Sequence, residues 1–193
     1  MAPHNFSRPA ALAGLVCLGI ALGAAGQSSA PAKKSALAKP APGMAEEDRE
    51  FANKAAAGGI AEVELGRAAQ HKTKSIEVRK YADRMVADHG TANDELKALA
   101  AQKKIPLPTA PSRVTQIEIE KLQKNTGAKF DLEYLEHMVK DHKKDVALFE
   151  KQAKSGKDAE LKKWAGDKLP ILQEHLRLAE AALSTAKGEK KKK

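Results

Sequence analysis

The feature that most constrains the fold of this chain is a set of four long segments in which apolar residues recur with the 3.6-residue period of an α-helix. The segments span residues 46–71, 75–104, 128–154 and 158–186. Aromatic residues make up only 4% of the chain and charged residues 31%, a composition that favours amphipathic helices over strands. The sequence therefore predicts an all-α protein.

The connection between the second and third segments is much longer than the other two. The outer pairs of segments are joined by about three or four residues, which makes the helices of each pair antiparallel neighbours. About 24 residues separate the middle pair, and they include a shorter amphipathic pattern at 113–124. A crossover of this length allows the second and third long helices to run parallel. We therefore predict a ferritin-like four-helix bundle, at 44–186, with a long crossover containing a short extra helix.

The N-terminus has the layout of a secretory signal. Arg8 precedes an apolar run of about 16 residues, and small residues around Ala25 and Gly26 follow it. We predict a signal peptide at 1–26 and a mature protein that is periplasmic or associated with the outer membrane. The alternative is an uncleaved anchor, although the run is shorter than the roughly 20 residues that span a bilayer. Cys17 is the only cysteine and lies in this run, so cleavage leaves no thiol for nucleophilic catalysis.

The segments that flank the bundle are basic, whereas the bundle itself is not. Residues 27–43, rich in Ala, Pro, Lys and Ser, predict a flexible linker, and residues 187–193 predict a disordered basic tail. The net charge is +9, but 25 of the 34 basic residues and 24 of the 25 acidic residues lie within 44–186. A nearly neutral folded part argues against nucleic-acid binding. The tails instead suit weak contact with anionic lipid or another anionic envelope surface.

Polar residues occupy the middle of the apolar face of each long helix. A helical wheel places Glu62, His89 and His142 inside the apolar stripes of three helices, and His175 at the edge of the fourth. Because each lies close to the midpoint of its helix, we expect these four side chains to meet at the centre of the bundle. The two other histidines of the bundle fall outside the stripes and are expected to be solvated: His71 and His137.

This convergence has two interpretations. Histidine and carboxylate sets bind zinc, copper or iron rather than calcium, so the four side chains could hold one transition-metal ion. Asp88, Asp141 and Asp145 are then alternate ligands or hydrogen-bonding partners of the ligands. In the other interpretation the histidines are polar core residues that bond only to one another, to carboxylates or to buried water. Neither supplies a catalytic residue, so we expect a non-enzymatic protein, with a structural or envelope-stress interaction module as the alternative to a metal-binding one.

Two internal similarities suggest a duplication. Residues 77–82 (EVRKYA) resemble residues 160–165 (ELKKWA) at an offset of 83. Residues 81–89 (YADRMVADH) resemble residues 134–142 (YLEHMVKDH) at an offset of 53. The two offsets imply different pairings of the helices, so at most one of them records ancestry.

Short motifs spread over the bundle are shared with a known family. They are Glu62-Val63-Glu64-Leu65-Gly66, Met85-Val86-x-Asp88-His89, Asn93-x-x-Leu96, Phe130-Asp131, His142, Leu169-Pro170 and His175-Leu176. On these motifs the stretch from residue 48 to residue 183 resembles the domain of unknown function 4142 family. The resemblance implies an exported, envelope-associated helical bundle of the ferritin-like group, and it implies no particular activity.

The chain departs from the di-iron pattern that a ferritin-like grouping suggests. Such sites use Glu-x-x-His on two helices. Here the residues three positions before the histidines are apolar: Val86, Val139 and Leu172. With one well-placed buried carboxylate, the sequence favours a single histidine-rich metal site, or none, over oxygen-activating di-iron chemistry.

Overall fold

The computed structural model describes residues 43–191, with side chains as far as residue 188, and this part of the chain forms five α-helices. They are α1 (Glu46–Lys72), α2 (Ile76–Gln102), α3 (Arg113–Gln123), α4 (Gly127–Ser155) and α5 (Ala159–Lys191). Between residues 43 and 191 there is no strand, and no helix is both long and apolar enough to cross a membrane. The all-α prediction is confirmed, and every long helix begins and ends within two residues of its predicted bounds except at the end of α5.

The second helix of each hairpin begins at a side-chain cap. Ser75 Oγ accepts a hydrogen bond from the amide of Val78 at 3.3 Å, and Asp158 Oδ1 accepts one from the amide of Leu161 at 3.0 Å. Each cap satisfies an amide that has no partner within its own helix. These caps fix where the short turns end, and the short turns make α1–α2 and α4–α5 antiparallel hairpins.

The contacts between the hairpins give the topology of the bundle. Phe51, early in α1, packs on Phe149, late in α4, with ring centroids 5.1 Å apart. Glu62, further along α1, lies beside His142, which comes earlier in α4. Helix α1 is therefore antiparallel to α4 as well as to α2, so α2 and α4 run parallel. The predicted ferritin-like topology, with α3 inside the crossover, is confirmed.

Helix α5 is longer than predicted. It continues to Lys191, five residues past the expected end at Ala186. Lysine and glutamate are good helix formers, and cations are favoured at a helix C-terminus, so the basic segment extends the helix. Lys187 also pairs with Glu136 of α4 at 2.9 Å. The predicted disorder of residues 187–193 is therefore corrected for residues 187–191, while the predicted signal peptide and residues 27–42 of the predicted linker lie outside the described residues.

Two apolar clusters fill the bundle on either side of a polar centre. One cluster, towards the α1–α2 turn, includes Leu65, Tyr81, Phe130, Tyr134 and Leu135. The other, towards the α4–α5 turn, includes Phe51, Leu96, Phe149, Leu161 and the partly buried Trp164. Burial of this apolar surface stabilises the fold by about 25 cal/mol per Å². It also separates the buried polar residues between the two clusters from bulk water.

A buried aspartate links the first hairpin to the turn of the second. Asp48 is 0% exposed, and its carboxylate accepts hydrogen bonds from Gln152 Nε2 at 2.7 Å and from the amides of Lys157 at 3.1 Å and Asp158 at 2.7 Å. Three donors offset the cost of removing the carboxylate from water. The start of α1 is thereby fixed against the α4–α5 turn.

The two hairpins are equivalent at the offset of 83. Adding 83 to the bounds of α1 and α2 gives 129–155 and 159–185, which match α4 and α5 closely. The cap Ser75 corresponds to the cap Asp158. Glu62 corresponds to Asp145, and one carboxyl oxygen of each lies within 4.8 Å of the other. A residue that lies beside its own equivalent is close to the symmetry axis, so a local twofold axis passes between Glu62 and Asp145.

The offset of 53 has a different geometric origin. It relates α2 to the parallel helix α4, and it places like residues at the same height of the bundle. The rings of Tyr81 and Tyr134 lie 6.1 Å apart, and those of His89 and His142 lie 5.5 Å apart. Because this match covers nine residues, whereas the offset of 83 covers whole hairpins, the offset of 83 describes the architecture.

Candidate metal centre

Three imidazoles from three helices meet at the centre of the bundle. His89 of α2, His142 of α4 and His175 of α5 are 6%, 0% and 0% exposed. Their ring centroids are 5.2 to 5.5 Å apart. One ring nitrogen of each lies within 4.8 Å of those of the other two. Placement near the middle of an inward helix face brings these side chains together.

Two of the imidazoles have tautomers that are set by their partners. His142 Nδ1 lies 3.0 Å from the carbonyl oxygen of Met138, which can only accept, so Nδ1 carries the proton. His175 Nε2 likewise donates to Asp88 Oδ2 at 2.8 Å. The other nitrogens, His142 Nε2 and His175 Nδ1, therefore carry lone pairs, and they face each other at 3.4 Å. Two facing acceptors attract a cation to the space between them.

The third imidazole also leaves one nitrogen free. His89 Nδ1 donates to Glu62 Oε2 at 2.8 Å, and His89 Nε2 is buried with no hydrogen-bond partner among the described residues. Glu62 Oε1 is also buried with no hydrogen-bond partner among the described residues, and it lies 3.4 Å from His142 Nε2. A buried polar atom without a partner costs about 1–3 kcal/mol. The centre therefore contains three nitrogen lone pairs and one carboxylate oxygen whose bonding capacity is unused.

Burial keeps the imidazoles neutral at neutral pH. It lowers the pKa of both His89 and His175 to about 4, with Asp88 opposing the shift in each case. Burial also lowers the pKa of His142 against the attraction of Glu62. Because a metal binds the neutral form of imidazole, no proton has to be displaced from these three rings at pH 7.

Three carboxyl groups form a second cluster beside the imidazoles. One oxygen from each of Glu62, Asp141 and Asp145 lies within 4.8 Å of the others. Burial raises the pKa of Glu62 to about 7, and burial together with the nearby charge of Glu62 raises the pKa of Asp145 well above its usual range. Burial and the repulsion between these carboxylates therefore both favour the protonated form of the cluster.

The predicted site residues occupy three kinds of position. The four central side chains, on α1, α2, α4 and α5, are all buried and adjacent. Asp88 accepts a hydrogen bond from the outer nitrogen of His175. Burial raises the pKa of Asp88, but the hydrogen bonds from His175 and Arg84 lower it by more, so this pKa lies below its usual range. Asp141 and Asp145 group with the carboxylate of Glu62.

The two peripheral histidines differ from each other. His71 is exposed, as predicted, whereas His137 is half-buried. Burial lowers the pKa of His137, and Glu118 of α3 acts on it in the opposite direction. The prediction that His137 is solvated is wrong because the periodicity of α4 alone does not reveal that the crossover helix α3 packs against it.

A polar group on the α2–α5 face was not identified from the sequence. Trp164 Nε1 donates to Glu95 Oε2 at 2.9 Å, and Lys168 Nζ reaches the same oxygen at 2.5 Å. Trp164 and Lys168 are four residues apart on α5, so they share one face of that helix. This spacing is the only indication of the group in the sequence. The acceptor, Glu95, lies on α2, and no sequence pattern relates it to Trp164 and Lys168.

Comparison with known proteins identifies the fold and the family. The DUF305 fragment from Deinococcus radiodurans aligns over 75% of this chain and 99% of its own length, with a TM-score of 0.66 and 14% identity. The "putative secreted protein DUF305" from Streptomyces coelicolor aligns over 72% of this chain and 93% of its own length, with a TM-score of 0.63 and 17% identity. At these identities the likeness concerns the fold alone, and none of the curated proteins matches the chain. The family model "Domain of unknown function (DUF4142)" matches residues 33–182, so the chain belongs to the DUF4142 family.

Proposed function

We propose that this protein is an exported, non-enzymatic helical bundle that binds one transition-metal ion through His89, His142 and His175. The observation that carries the proposal is the set of three buried lone pairs, each on a ring whose other nitrogen is already hydrogen-bonded. A metal-bound histidine usually donates its second N–H to a carboxylate or a carbonyl. Asp88, Glu62 and the carbonyl of Met138 match those partners.

The spacing of the lone pairs suits a tetrahedral ion. Metal–nitrogen bonds of about 2.0–2.1 Å imply about 3.3 Å between two nitrogens of a tetrahedral set. His142 Nε2 and His175 Nδ1 are 3.4 Å apart. Imidazole ligands favour zinc, copper or iron over calcium or magnesium. We assign Glu62 to orienting His89 and to balancing the charge of the ion.

Export is supported by the N-terminal sequence. Residues 1–26 have the charge, length and small-residue pattern of a signal peptide. One of the two structural neighbours is described as secreted. We therefore place the protein in the periplasm or at the outer membrane, where transition-metal ions arrive from outside the cell.

The metal proposal is tested by the metal content of the exported protein. The full chain is expressed without a tag in a host that exports it, and the purified protein is exposed to a mixture of zinc, copper, iron and manganese and then desalted. Elemental mass spectrometry should find about one ion per chain. The His89→Ala/His142→Ala variant should retain none, whereas Glu62→Gln should lose about 10–100-fold in affinity.

The matched control for this experiment is His71→Ala/His137→Ala. It removes the same number of imidazoles from positions outside the centre and should keep the metal. Equal metal content in both double variants, or no metal in the wild type while circular dichroism shows a helical fold, would show that the histidines form only a polar core. The intact mass of the exported protein tests the cleavage site in the same preparation.

A second candidate function rests on the C-terminal charge. Residues 187–193 carry five lysines and one glutamate, a net charge of +4. Helix α5 extends to Lys191, so the first part of this basic segment continues the helix. We propose weak contact of this end with anionic lipid or another anionic envelope surface, at about 1 kcal/mol for each lysine near the surface.

A further inference from the structure

Three carboxyl groups from two helices form a cluster at the boundary between α1 and α4. Asp141 and Asp145 are four residues apart on α4, so they share one face of that helix. One carboxyl oxygen of each lies within 4.8 Å of the other and of an oxygen of Glu62, on α1. Two oxygens that bind the same magnesium or calcium ion lie no more than about 4–5 Å apart, because each is about 2.0–2.6 Å from the ion. The three carboxyl groups are therefore close enough to bind one ion together.

The most deeply buried member of this cluster has an oxygen without a partner. Glu62 is 2% exposed, and its Oε2 accepts a hydrogen bond from His89 Nδ1. Its Oε1 has no hydrogen-bond partner among the described residues. His142 Nε2 lies 3.4 Å from Oε1, but it carries a lone pair and cannot donate. Because a buried carboxylate oxygen without a partner is costly, Oε1 is available to bind a cation.

The cluster has an excess of negative charge. In the part of the chain that the structure describes, a single ion pair joins it to a lysine or arginine, and this pair is Lys144 Nζ with Asp141 Oδ1 at 3.4 Å. Lys144 is 62% exposed, so solvent weakens the pair. Glu62 pairs there with histidines alone, and Asp145 forms no ion pair with a described residue. A bound cation would supply the missing positive charge.

The structure also leaves space beside the cluster for an ion and its waters. Gly58 of α1 is the equivalent of Asp141 at the offset of 83, so α1 has no side chain where α4 carries a carboxylate. A Cβ atom at Gly58 would lie 4.0 Å from Asp145 Oδ1, and it would meet no other described side chain within that distance. Asp141 and Asp145 are half-buried, so water can reach the cluster.

The donor atoms indicate which class of cation this site would take. Carboxylate oxygens and water suit magnesium, calcium and manganese, whereas imidazole nitrogens favour zinc, copper or iron. We propose that Glu62, Asp141 and Asp145 form a second cation site, which binds a divalent ion of the magnesium, calcium and manganese class, with water completing the coordination. The site adjoins the three imidazoles but uses none of their nitrogens, so it does not rest on the proposed transition-metal binding.

The test is an equilibrium titration of the full exported, metal-free protein with manganese(II) at neutral pH. The electron paramagnetic resonance signal of free manganese(II) weakens when the ion binds to a protein, so the signal measures free and bound ion. Binding should saturate at about one ion per chain, and excess magnesium or calcium should displace it. Asp145→Asn keeps the size of the side chain but removes a charge, so it should weaken manganese binding about tenfold or more.

Two further variants separate this site from its surroundings. Asp94→Asn is the matched control, because it makes the same change at an exposed position of α2 and should leave the titration unchanged. His142→Ala/His175→Ala removes two imidazoles but keeps the hydrogen bond that Glu62 accepts on Oε2. This double variant should lose transition metal and still bind manganese, whereas Asp145→Asn should keep transition metal and lose manganese.

Substitutes are available for variants that do not fold: Asp141→Asn for Asp145→Asn, and His175→Ala alone for the double variant. Absence of saturable manganese binding, or equal manganese affinity in Asp145→Asn and Asp94→Asn, would overturn the second site. Loss of manganese in the folded imidazole variant would assign that ion to the histidines and would overturn it as well. Absence of transition metal in a wild type that binds manganese would contradict the proposed function alone.

Discussion

His175 illustrates how one residue of this protein depends on a partner from another helix. Its Nε2 donates to Asp88 of α2, and this bond directs Nδ1 towards His142 of α4. A helical wheel identifies His175 as an inward residue but cannot tell which of its nitrogens faces the centre. The chemistry of the site is therefore decided by contacts between helices.

The first prediction at the residue scale concerns the folding stability of the protein at acidic pH. The pKa of His89 is about 4 in the folded protein, against an ordinary value of 6.5, because burial disfavours its charged form. Between pH 6.5 and pH 4 the unfolded chain therefore binds more protons, so this residue makes the metal-free protein less stable as the pH falls. The loss attributable to His89 should approach roughly 3 kcal/mol at pH 4.

Urea unfolding of the metal-free protein at pH 7 and pH 4 checks this prediction. His89→Gln lacks the titrating group and should lose less stability than the wild type over the same interval. Glu62 has the opposite effect on stability. Because its pKa is raised in the folded protein, its contribution to the free energy of unfolding decreases as the pH rises from 4.5 through 7. Both proteins contain Glu62, so the comparison cancels most of that effect. Identical losses in the two proteins would contradict the prediction.

The sequence was sufficient to find the central residues but not their bonding. Glu62, His89 and His142 each interrupt an apolar stripe near the middle of a helix, and four helices of similar length must bring their middles together. The raised pKa values of Glu62 and Asp145 depend on a distance between α1 and α4 that no single-helix pattern contains. His137 was misplaced for the same reason, because its cover is supplied by α3.

At the scale of the helix, Gly66 controls how closely α1 approaches α2. A Cβ atom at Gly66 would lie 2.9 Å from Val86 Cγ2 and 3.2 Å from the carbonyl oxygen of Ala82. Gly66→Ala should therefore lower the free energy of unfolding by about 1–3 kcal/mol through overpacking. This loss should exceed the gain of about 1 kcal/mol that alanine provides in a helix.

Gly90 provides the control for this substitution. A Cβ atom there would meet nothing within 4 Å, so Gly90→Ala should stabilise the protein by about 1 kcal/mol through helix propensity alone. Thermal unfolding of the two variants should shift in opposite directions. A stabilised Gly66→Ala variant would show that the two helices can separate there at little cost.

The helix boundaries could be predicted well because their signals are local. Ser75 and Asp158 are side-chain caps that stand immediately before apolar patterns, and both act as caps in the structure. The end of α5 was missed because lysine-rich sequence suits both a solvated tail and a final helical turn. Its pairing through Lys187 with Glu136 of α4 involves residues that are distant in sequence.

At the scale of the whole molecule, the uneven distribution of charge predicts that the protein contacts anionic membranes with its basic C-terminal end. The bundle at 44–186 is nearly neutral, while residues 187–193 are strongly basic. Deleting residues 187–193 should weaken binding to vesicles that contain phosphatidylglycerol by roughly tenfold or more, given about 1 kcal/mol for each lysine near the surface. Co-sedimentation at low and at physiological salt measures this binding.

The matched variant for the deletion replaces the same five lysines with glutamine and keeps the length of the chain. It should behave like the deletion, and the binding of the wild type should fall as salt screens the charges. Unchanged vesicle binding in either variant would exclude the C-terminus as the membrane contact. Metal content should stay the same in both, because none of the three imidazoles belongs to residues 187–193.

The hairpin architecture determines where the bundle opens locally. Packing is dense within each hairpin and sparse between them, so the weakest plane of the bundle passes through its own centre. The three imidazoles straddle that plane, one on α2 and two on the α4–α5 hairpin. An ion held there would join the two hairpins. It should therefore slow amide hydrogen exchange along the boundary between the hairpins far more than within either hairpin.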